Sequence, residues 1–107
     1  MVKHIIEFIP EAVKDYNDLD GSVKKKVARK IDELSLNPFL GEALGNKFNV
    51  NLTGFYKIYV ENKKYRIVYR IIGDEIEIVE IWGIGKRDKE EIYKIIGKRL
   101  KKKSSNA

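Results

Sequence analysis

Residues 54–84 constrain the fold more than any other part of the chain, because they read as three short strands joined by two tight turns. Each strand is rich in Ile, Val and Tyr, and the turns at residues 62–64 and 73–74 leave room only for antiparallel hairpins. The strands are predicted at residues 54–61, 65–72 and 75–84. A meander of this kind buries one apolar face against a layer of helices, which predicts an α+β fold.

The segment before the meander predicts one more strand and two helices. Residues 2–9 predict the strand, and Pro10 then stands where the first turn of a helix over residues 11–19 tolerates it. A second helix follows Ser22, a candidate N-cap, and ends before Pro38. Its apolar residues recur at helical spacing and form one stripe that faces the core. They are Val23, Val27, Ile31 and Leu34.

The remaining segments complete the order of elements. Residues 39–53, with two glycines and three asparagines, predict a loop, and Asp88 and Glu91 have the spacing of a capping box before a last helix. We therefore expect the order β-α-α-β-β-β-α in a single domain over residues 1–100. A mostly antiparallel sheet packs on a helical hairpin and a C-terminal helix in this arrangement. Residues 101–107 are expected to form a basic, disordered tail.

Charge is concentrated on one face of the predicted sheet and near the C-terminus. Successive side chains of a strand alternate between its faces, so the apolar face is expected to lie on the helices. The opposite face presents Lys57, Tyr59, Arg66 and Arg70. The chain carries 22 Lys and Arg against 16 Asp and Glu, and residues 86–103 alone hold nine basic and three acidic residues. Such a surface attracts polyanions, nucleic acid among them.

What the chain of 107 residues lacks excludes several classes of protein. It contains no cysteine, which excludes disulfide scaffolds and thiolate metal sites and agrees with a reducing cytoplasm. His4 is the only histidine and the acidic residues are scattered among lysines, so we expect no metal site. No apolar run approaches the ~20 residues of a membrane span, and residues 1–8 lack the pattern of a signal peptide.

The exposed Lys, Arg and Tyr side chains suit a phosphodiester. Lys and Arg pair with phosphate oxygens, and aromatic rings stack on unpaired bases. In RNA the 2′-hydroxyl can attack the adjacent phosphate if a site orients it, neutralises the developing charge and protonates the departing 5′-oxygen. Without a suitable histidine, a Lys or Tyr with a shifted pKa would have to move the protons. From the residues alone, binding of nucleic acid is the simpler interpretation and cleavage is the alternative.

Four short motifs, in their order along the chain, resemble the RelE branch of the RelE/ParE toxin superfamily. They are Tyr56-Lys57-Ile58, Tyr65-Arg66-Ile67-Val68-Tyr69, Gly85-Lys86-Arg87 and Ile92-Tyr93. The resemblance implies the RelE fold and a ribosome-dependent endonuclease that cuts mRNA in the ribosomal A site and leaves a 2′,3′-cyclic phosphate. It also implies a cognate antitoxin, RelB-like, acidic and helical, that holds the toxin inactive, and it implies no cofactor.

The same resemblance implies the residues of the site. Those that match the family's basic and tyrosine active-site positions are Lys57, Arg66, Arg87 and Tyr93. Further candidates for positioning RNA are Tyr59, Arg70 and Lys86. RelE has a second lysine two residues after the first, where this chain has Tyr59, and this departure leaves the identity of the general base open.

Two other functions stay open beside the ribonuclease. A ParE-like toxin shares the fold and poisons DNA gyrase, although that branch typically lacks this set of Lys, Arg and Tyr residues. A nucleic-acid-binding module would use the same basic surface without catalysis. The match at Lys57, Arg66, Arg87 and Tyr93 favours the ribonuclease.

Overall fold

The computed structural model describes residues 4–47, 50–73, 77–86 and 91–105. Five strands and three helices are found there, with a short 3₁₀ turn at Pro38–Leu40. The strands are β1 (Ile5–Phe8), β2 (Glu42–Lys47), β3 (Val50–Val60), β4 (Tyr65–Ile72) and β5 (Ile78–Lys86). The helices are α1 (Pro10–Asn17), α2 (Gly21–Leu36) and α3 (Glu91–Ser105).

The strands form one sheet in the order β1-β5-β4-β3-β2. Strands β2 to β5 are antiparallel neighbours in chain order, and β1 pairs in parallel with β5 at the edge. The crossover through α1 and α2 explains the parallel pair, because parallel strands need a long connection. The structure confirms the predicted α+β class and the mostly antiparallel sheet.

The structure corrects the prediction for residues 39–53, which are not simply a loop. They hold the end of the 3₁₀ turn, strand β2 and the beginning of β3, so the sheet has one strand more than the sequence predicted. The segment Glu-Ala-Leu-Gly-Asn-Lys of β2 has no β-branched or aromatic residue, and its extended form depends on pairing with β3. Gly45, with φ of 66°, lies at the bulge where the register of that pair shifts.

Helix α2 buries the apolar stripe that the spacing of its residues predicted. Val23, Val27, Ile31 and Leu34 are all buried in the main core. The helix begins two residues earlier than Ser22 as N-cap predicts, because Asp20 with its extended backbone holds the cap position. The predicted capping box at residues 88–91 falls largely outside the described residues.

Helix α3 covers the face of the sheet that the sequence left open to solvent. A side chain at Gly83 would lie 2.5 Å from Ile96 Cδ1, and one at Gly85 would lie 3.2 Å from Ile92 Cδ1. The two glycines thus allow a close approach of α3 to β5. The 3₁₀ turn packs on the other face, where the Tyr69 hydroxyl donates a hydrogen bond to the carbonyl of Pro38. Helical structure therefore lies on both faces of the sheet.

The C-terminal segment also differs from the prediction, because α3 continues through Ser105 instead of ending near residue 100. Lys103 pairs with Glu11 of α1 at 3.2 Å, and Arg99 pairs with Asp15 at 2.8 Å. These two ion pairs hold the end of α3 against α1. Among the described residues, no helix is long and apolar enough to cross a bilayer.

Candidate active site

The antiparallel pair of β3 and β4 brings three of the predicted site residues to one face of the sheet. Tyr59 lies directly opposite Arg66 in the register, and Lys57 lies two residues before Tyr59 on the same face. Alternation along each strand predicted this shared face. The register sets the side-by-side placement of Tyr59 and Arg66.

Tyr93 of α3 joins the cluster from above the sheet. The centre of its ring lies 4.7 Å from the guanidinium carbon of Arg66, a cation–π contact. Arg66 is 5% exposed and Tyr93 is 4% exposed, so our expectation that Arg66 lies on an open face is wrong. Helix α3 covers the Arg66 side chain, and the carbonyl of Lys86 accepts a hydrogen bond from Arg66 at 3.2 Å.

Lys57 is fixed by its neighbours in a partly buried position. Its ammonium donates a hydrogen bond to the Tyr59 hydroxyl at 2.9 Å and lies 3.8 Å from a carboxylate oxygen of Glu42. The hydrogen bond with Tyr59 raises the pKa of Lys57, burial opposes this, and Tyr93 and Glu42 add to the rise. Lys57 therefore stays a cation at neutral pH. It suits the stabilisation of a phosphate better than the removal of a proton.

Arg70 lies apart from this cluster. It is four residues beyond Arg66 on β4, about 13 Å along a strand, and pairs with Glu80 at 2.7 Å. Its guanidinium also stacks over Trp82, whose indole N–H donates to the same carboxylate oxygen of Glu80. These contacts occupy Arg70 in holding β4 and β5 together. The structure does not bring it to the predicted site.

The last residue of β5 contributes a backbone group. Lys86 ends the strand opposite Tyr65, and its exposed side chain belongs, by alternation, to the face opposite Arg66. Its carbonyl oxygen is what reaches the cluster. Arg87, the next residue, lies outside the described residues, so its predicted place in the site stays a prediction.

Glu42 is a neighbour of the site that sequence reasoning missed. Strand β2 places it directly opposite Lys57, on the same face of the sheet. The signal was hidden because residues 39–53 read as a loop, and nothing in their pattern predicts a partner for β3. Among the described residues, no group of three or more His, Cys, Asp and Glu side chains is placed to hold a metal ion.

Comparisons with known proteins agree with this arrangement. A family model described as the ParE toxin of the type II toxin–antitoxin system parDE matches residues 6–91. The chain belongs to the RelE/ParE toxin superfamily. Within it, the mRNA interferase toxin RelE of Escherichia coli K12 is 31% identical over 97 residues, which cover 91% of this chain and 97% of that protein.

Solved structures of superfamily members share the fold. A free variant of E. coli RelE with two arginines changed to alanine has a TM-score of 0.72 at 26% identity, and the match covers 92% of this chain and 98% of that one. A chain of the RelBE2 toxin–antitoxin complex of Mycobacterium tuberculosis matches with a TM-score of 0.65 at 26% identity. The match covers 80% of this chain and 100% of that one. The chain is thus a RelE-like toxin of a toxin–antitoxin system.

Proposed function

We propose that this RelE-like toxin is an endoribonuclease that cleaves mRNA on the ribosome and so inhibits translation. The observation that carries the proposal is the cluster of Lys57, Tyr59, Arg66 and Tyr93, two cations and two phenols held on one face between the sheet and α3. The similarity to a protein named mRNA interferase supports it. Localisation in the cytoplasm follows from this role.

The reaction fits the chemistry of the cluster. The 2′-hydroxyl attacks the adjacent phosphorus, the bond to the 5′-oxygen breaks, and a 2′,3′-cyclic phosphate remains. Lys57 and Arg66 stabilise the charge that develops on the phosphate oxygens, because both are cations held in place before the substrate arrives. Arg87, one residue beyond β5, is proposed as a third cation of the site.

Dependence on the ribosome follows from the nature of these groups. Lys57 is protonated at neutral pH, and arginines do not release protons in proteins, so the cluster supplies charge more readily than proton transfer. Orientation of the 2′-hydroxyl for in-line attack then has to come from the way in which the ribosome presents the mRNA. We expect robust cleavage of ribosome-bound mRNA and negligible cleavage of naked RNA.

We further propose that the partner of this toxin in the cell is an acidic, helical antitoxin of the RelB kind. The matching toxin of M. tuberculosis was solved in a toxin–antitoxin complex. The net charge of this chain is +6 at pH 7, which favours an acidic partner over a basic one. The antitoxin would cover the basic residues near the site and contact α3.

Primer extension on mRNA in a translation extract tests the ribonuclease proposal. Cuts in phase with codons, absent when ribosomes are left out, are expected with the wild-type protein. Arg87→Ala is expected to remove both the cuts and the inhibition of growth while the protein stays folded, because loss of one charge-stabilising group costs about 10²–10³ in rate. Full toxicity of Arg87→Ala at equal expression would contradict the role given to Arg87.

Inhibition of DNA gyrase is the second candidate function, favoured by the ParE name of the matching family model. A supercoiling assay with purified gyrase separates the two toxins. Inhibition of supercoiling without cleavage of mRNA would replace the ribonuclease proposal. Binding of RNA with neither activity would leave a nucleic-acid-binding module.

A further inference from the structure

We propose that Glu42 is the general base that removes the proton from the attacking 2′-hydroxyl. The proposal rests on the proposed ribonuclease function. It identifies the general base, which the presence of Tyr59 in place of the second lysine of RelE left open. It is based on the position of Glu42 opposite Lys57 in the sheet, where its carboxylate and the ammonium of Lys57 are 3.8 Å apart.

The four members of the cluster, Lys57, Tyr59, Arg66 and Tyr93, are poorly suited to accept a proton. Lys57 is held as a cation by its contact with Tyr59, and Arg66 keeps its charge at any accessible pH. A tyrosine has to lose its own proton before it can act as a base, and an unperturbed one does so only near pH 10. A carboxylate in contact with water is already ionised at neutral pH and needs no prior step.

The local backbone is built so that Glu42 stays beside Lys57. The buried hydroxyl of Tyr69 donates to the carbonyl of Pro38 and accepts from the N–H of Gly41, which fixes the residue before Glu42. A side chain at Gly41 would lie 2.5 Å from both the Lys57 carbonyl and the Tyr69 hydroxyl. Only glycine lets the chain enter β2 this close to β3.

The surroundings of Glu42 leave space for RNA. Its side chain is 74% exposed, against 16% for Lys57, so the carboxylate stands at the solvent side of the fixed ammonium. Both residues line a depression of about 340 Å³ at the edge of the sheet. The charged and titratable groups of this depression are Lys57 and Tyr59 of β3, Lys30 and Glu33 of α2, and Glu42 itself. Lys30 and Glu33 pair with each other at 3.0 Å.

The step balances as follows. Glu42 takes the proton of the 2′-hydroxyl while the lone pair of that oxygen forms the bond to phosphorus. The bond between phosphorus and the 5′-oxygen breaks, and this oxygen leaves with the electron pair and takes a proton from water. The hydroxide so formed takes the proton back from Glu42. Lys57 stays protonated throughout and stabilises the phosphate oxygens.

Single-turnover cleavage of mRNA on programmed ribosomes, measured from pH 5 to pH 9, tests the proposal. Removal of a general base costs about 10²–10⁴ in rate, and Glu42→Gln is expected to fall in this range. The wild-type rate should decline toward acid pH as the carboxylate is protonated, and the rate of Glu42→Gln should not show this decline. Glu42→Asp, which keeps the carboxylate, is expected to retain more activity than Glu42→Gln.

Glu33→Gln is the matched control, because Glu33 is an exposed carboxylate in the same depression that pairs with Lys30 instead of Lys57. It is expected to keep the rate and pH profile of the wild type. A rate for Glu42→Gln within threefold of the wild type, or a slower rate with an unchanged pH profile, would overturn the role of Glu42 alone. Absence of cleavage by the wild type would overturn the ribonuclease proposal together with it.

Discussion

Asp15 and Arg99 form a bidentate ion pair at the edge of β5, beyond the point where β1 ends. The two arginine nitrogens lie 2.8 and 3.1 Å from the two carboxylate oxygens. Pairing of β1 with β5 ends at Ile81. Past that point, Asp15 accepts a hydrogen bond from the N–H of Ile84, and Arg99 donates one to the carbonyl of Trp82. One pair of side chains thus satisfies the open edge of β5 and ties α1 to α3.

Arg99→Ala is expected to destabilise the protein by about 2 kcal/mol, because it leaves the carboxylate of Asp15 and the carbonyl of Trp82 without a partly buried charged donor. Lys98→Ala is the control, since Lys98 is the exposed neighbour on the same helix and should change stability by no more than about 0.5 kcal/mol. Urea unfolding measures both. Equal unfolding midpoints for the two variants would show that the ion pair contributes nothing.

Gly97 lies where α3 packs against Val50 of β3. A glycine within a helix costs about 1 kcal/mol relative to alanine, yet a side chain at Gly97 would lie 2.7 Å from Val50 Cγ1. Valine is branched at Cβ and has little freedom to move aside. Gly97→Ala is therefore expected to gain no stability in the wild type, and to gain about 1 kcal/mol when Val50 is first changed to alanine.

A double-mutant cycle in urea measures this coupling between Gly97 and Val50. The four proteins are the wild type, the two single variants and the double variant. If Gly97→Ala stabilises the wild type as much as it stabilises Val50→Ala, the close approach of α3 does not explain the glycine.

The contact between Glu11 and Lys103 predicts a pH dependence. The backbone N–H of Glu11 and the ammonium of Lys103 lower the pKa of Glu11, against an opposing effect of burial. Because the pKa is lower in the folded protein than in the unfolded chain, the stabilisation is complete above about pH 4.3 and is lost as the pH falls through the folded value. Glu11→Gln should therefore cost about 0.5 kcal/mol at pH 7 and less at pH 2.5.

Urea unfolding of the wild type and Glu11→Gln at both pH values provides the measurement. Glu7→Gln is a suitable control, because Glu7 is an exposed residue of β1 in the same part of the molecule. A difference between the wild type and Glu11→Gln that stays constant from pH 7 to pH 2.5 would rule out the proposed ionic contribution.

Local pattern was enough to predict the central strands. Strand β4 spans Tyr65–Ile72, as its run of aromatic and β-branched residues predicted. Strand β2 was missed because its residues carry no such preference, and pairing with β3 decides its conformation. Glu42, which that pairing brings to Lys57, was missed for the same reason.

Alternation along the strands predicted which residues share a face of the sheet, but it did not predict which elements pack on that face. Alternation placed Lys57, Tyr59 and Arg66 together, and the register confirms this. Alternation says nothing about a helix far along the chain, so the burial of Arg66 under Tyr93 was not expected. Long-range packing of α3 through Gly83 and Gly85 decides that feature of the site.

Tyr59 provides the last test, because its hydroxyl accepts the hydrogen bond of Lys57 at 2.9 Å. If Tyr59 acts through its ring, either by stacking on a base or by the contact of the ring centre with the Lys57 ammonium at 4.9 Å, Tyr59→Phe should cleave within about threefold of the wild type. Tyr59→Lys, which restores the residue of RelE, should preserve or raise the rate. If the hydroxyl were the general base, Tyr59→Phe would lose about a hundredfold, or about 2.7 kcal/mol of barrier.

The same single-turnover assay on programmed ribosomes compares Tyr59→Phe with Glu42→Gln. A small effect of Tyr59→Phe together with a large effect of Glu42→Gln is expected, because phenylalanine keeps the ring that contacts Lys57 while the amide of glutamine cannot take the proton. The reverse pattern would make Tyr59 the base and leave Glu42 as an ionic neighbour of Lys57. The two variants therefore decide which of the two groups, the Tyr59 hydroxyl or the Glu42 carboxylate, takes the proton.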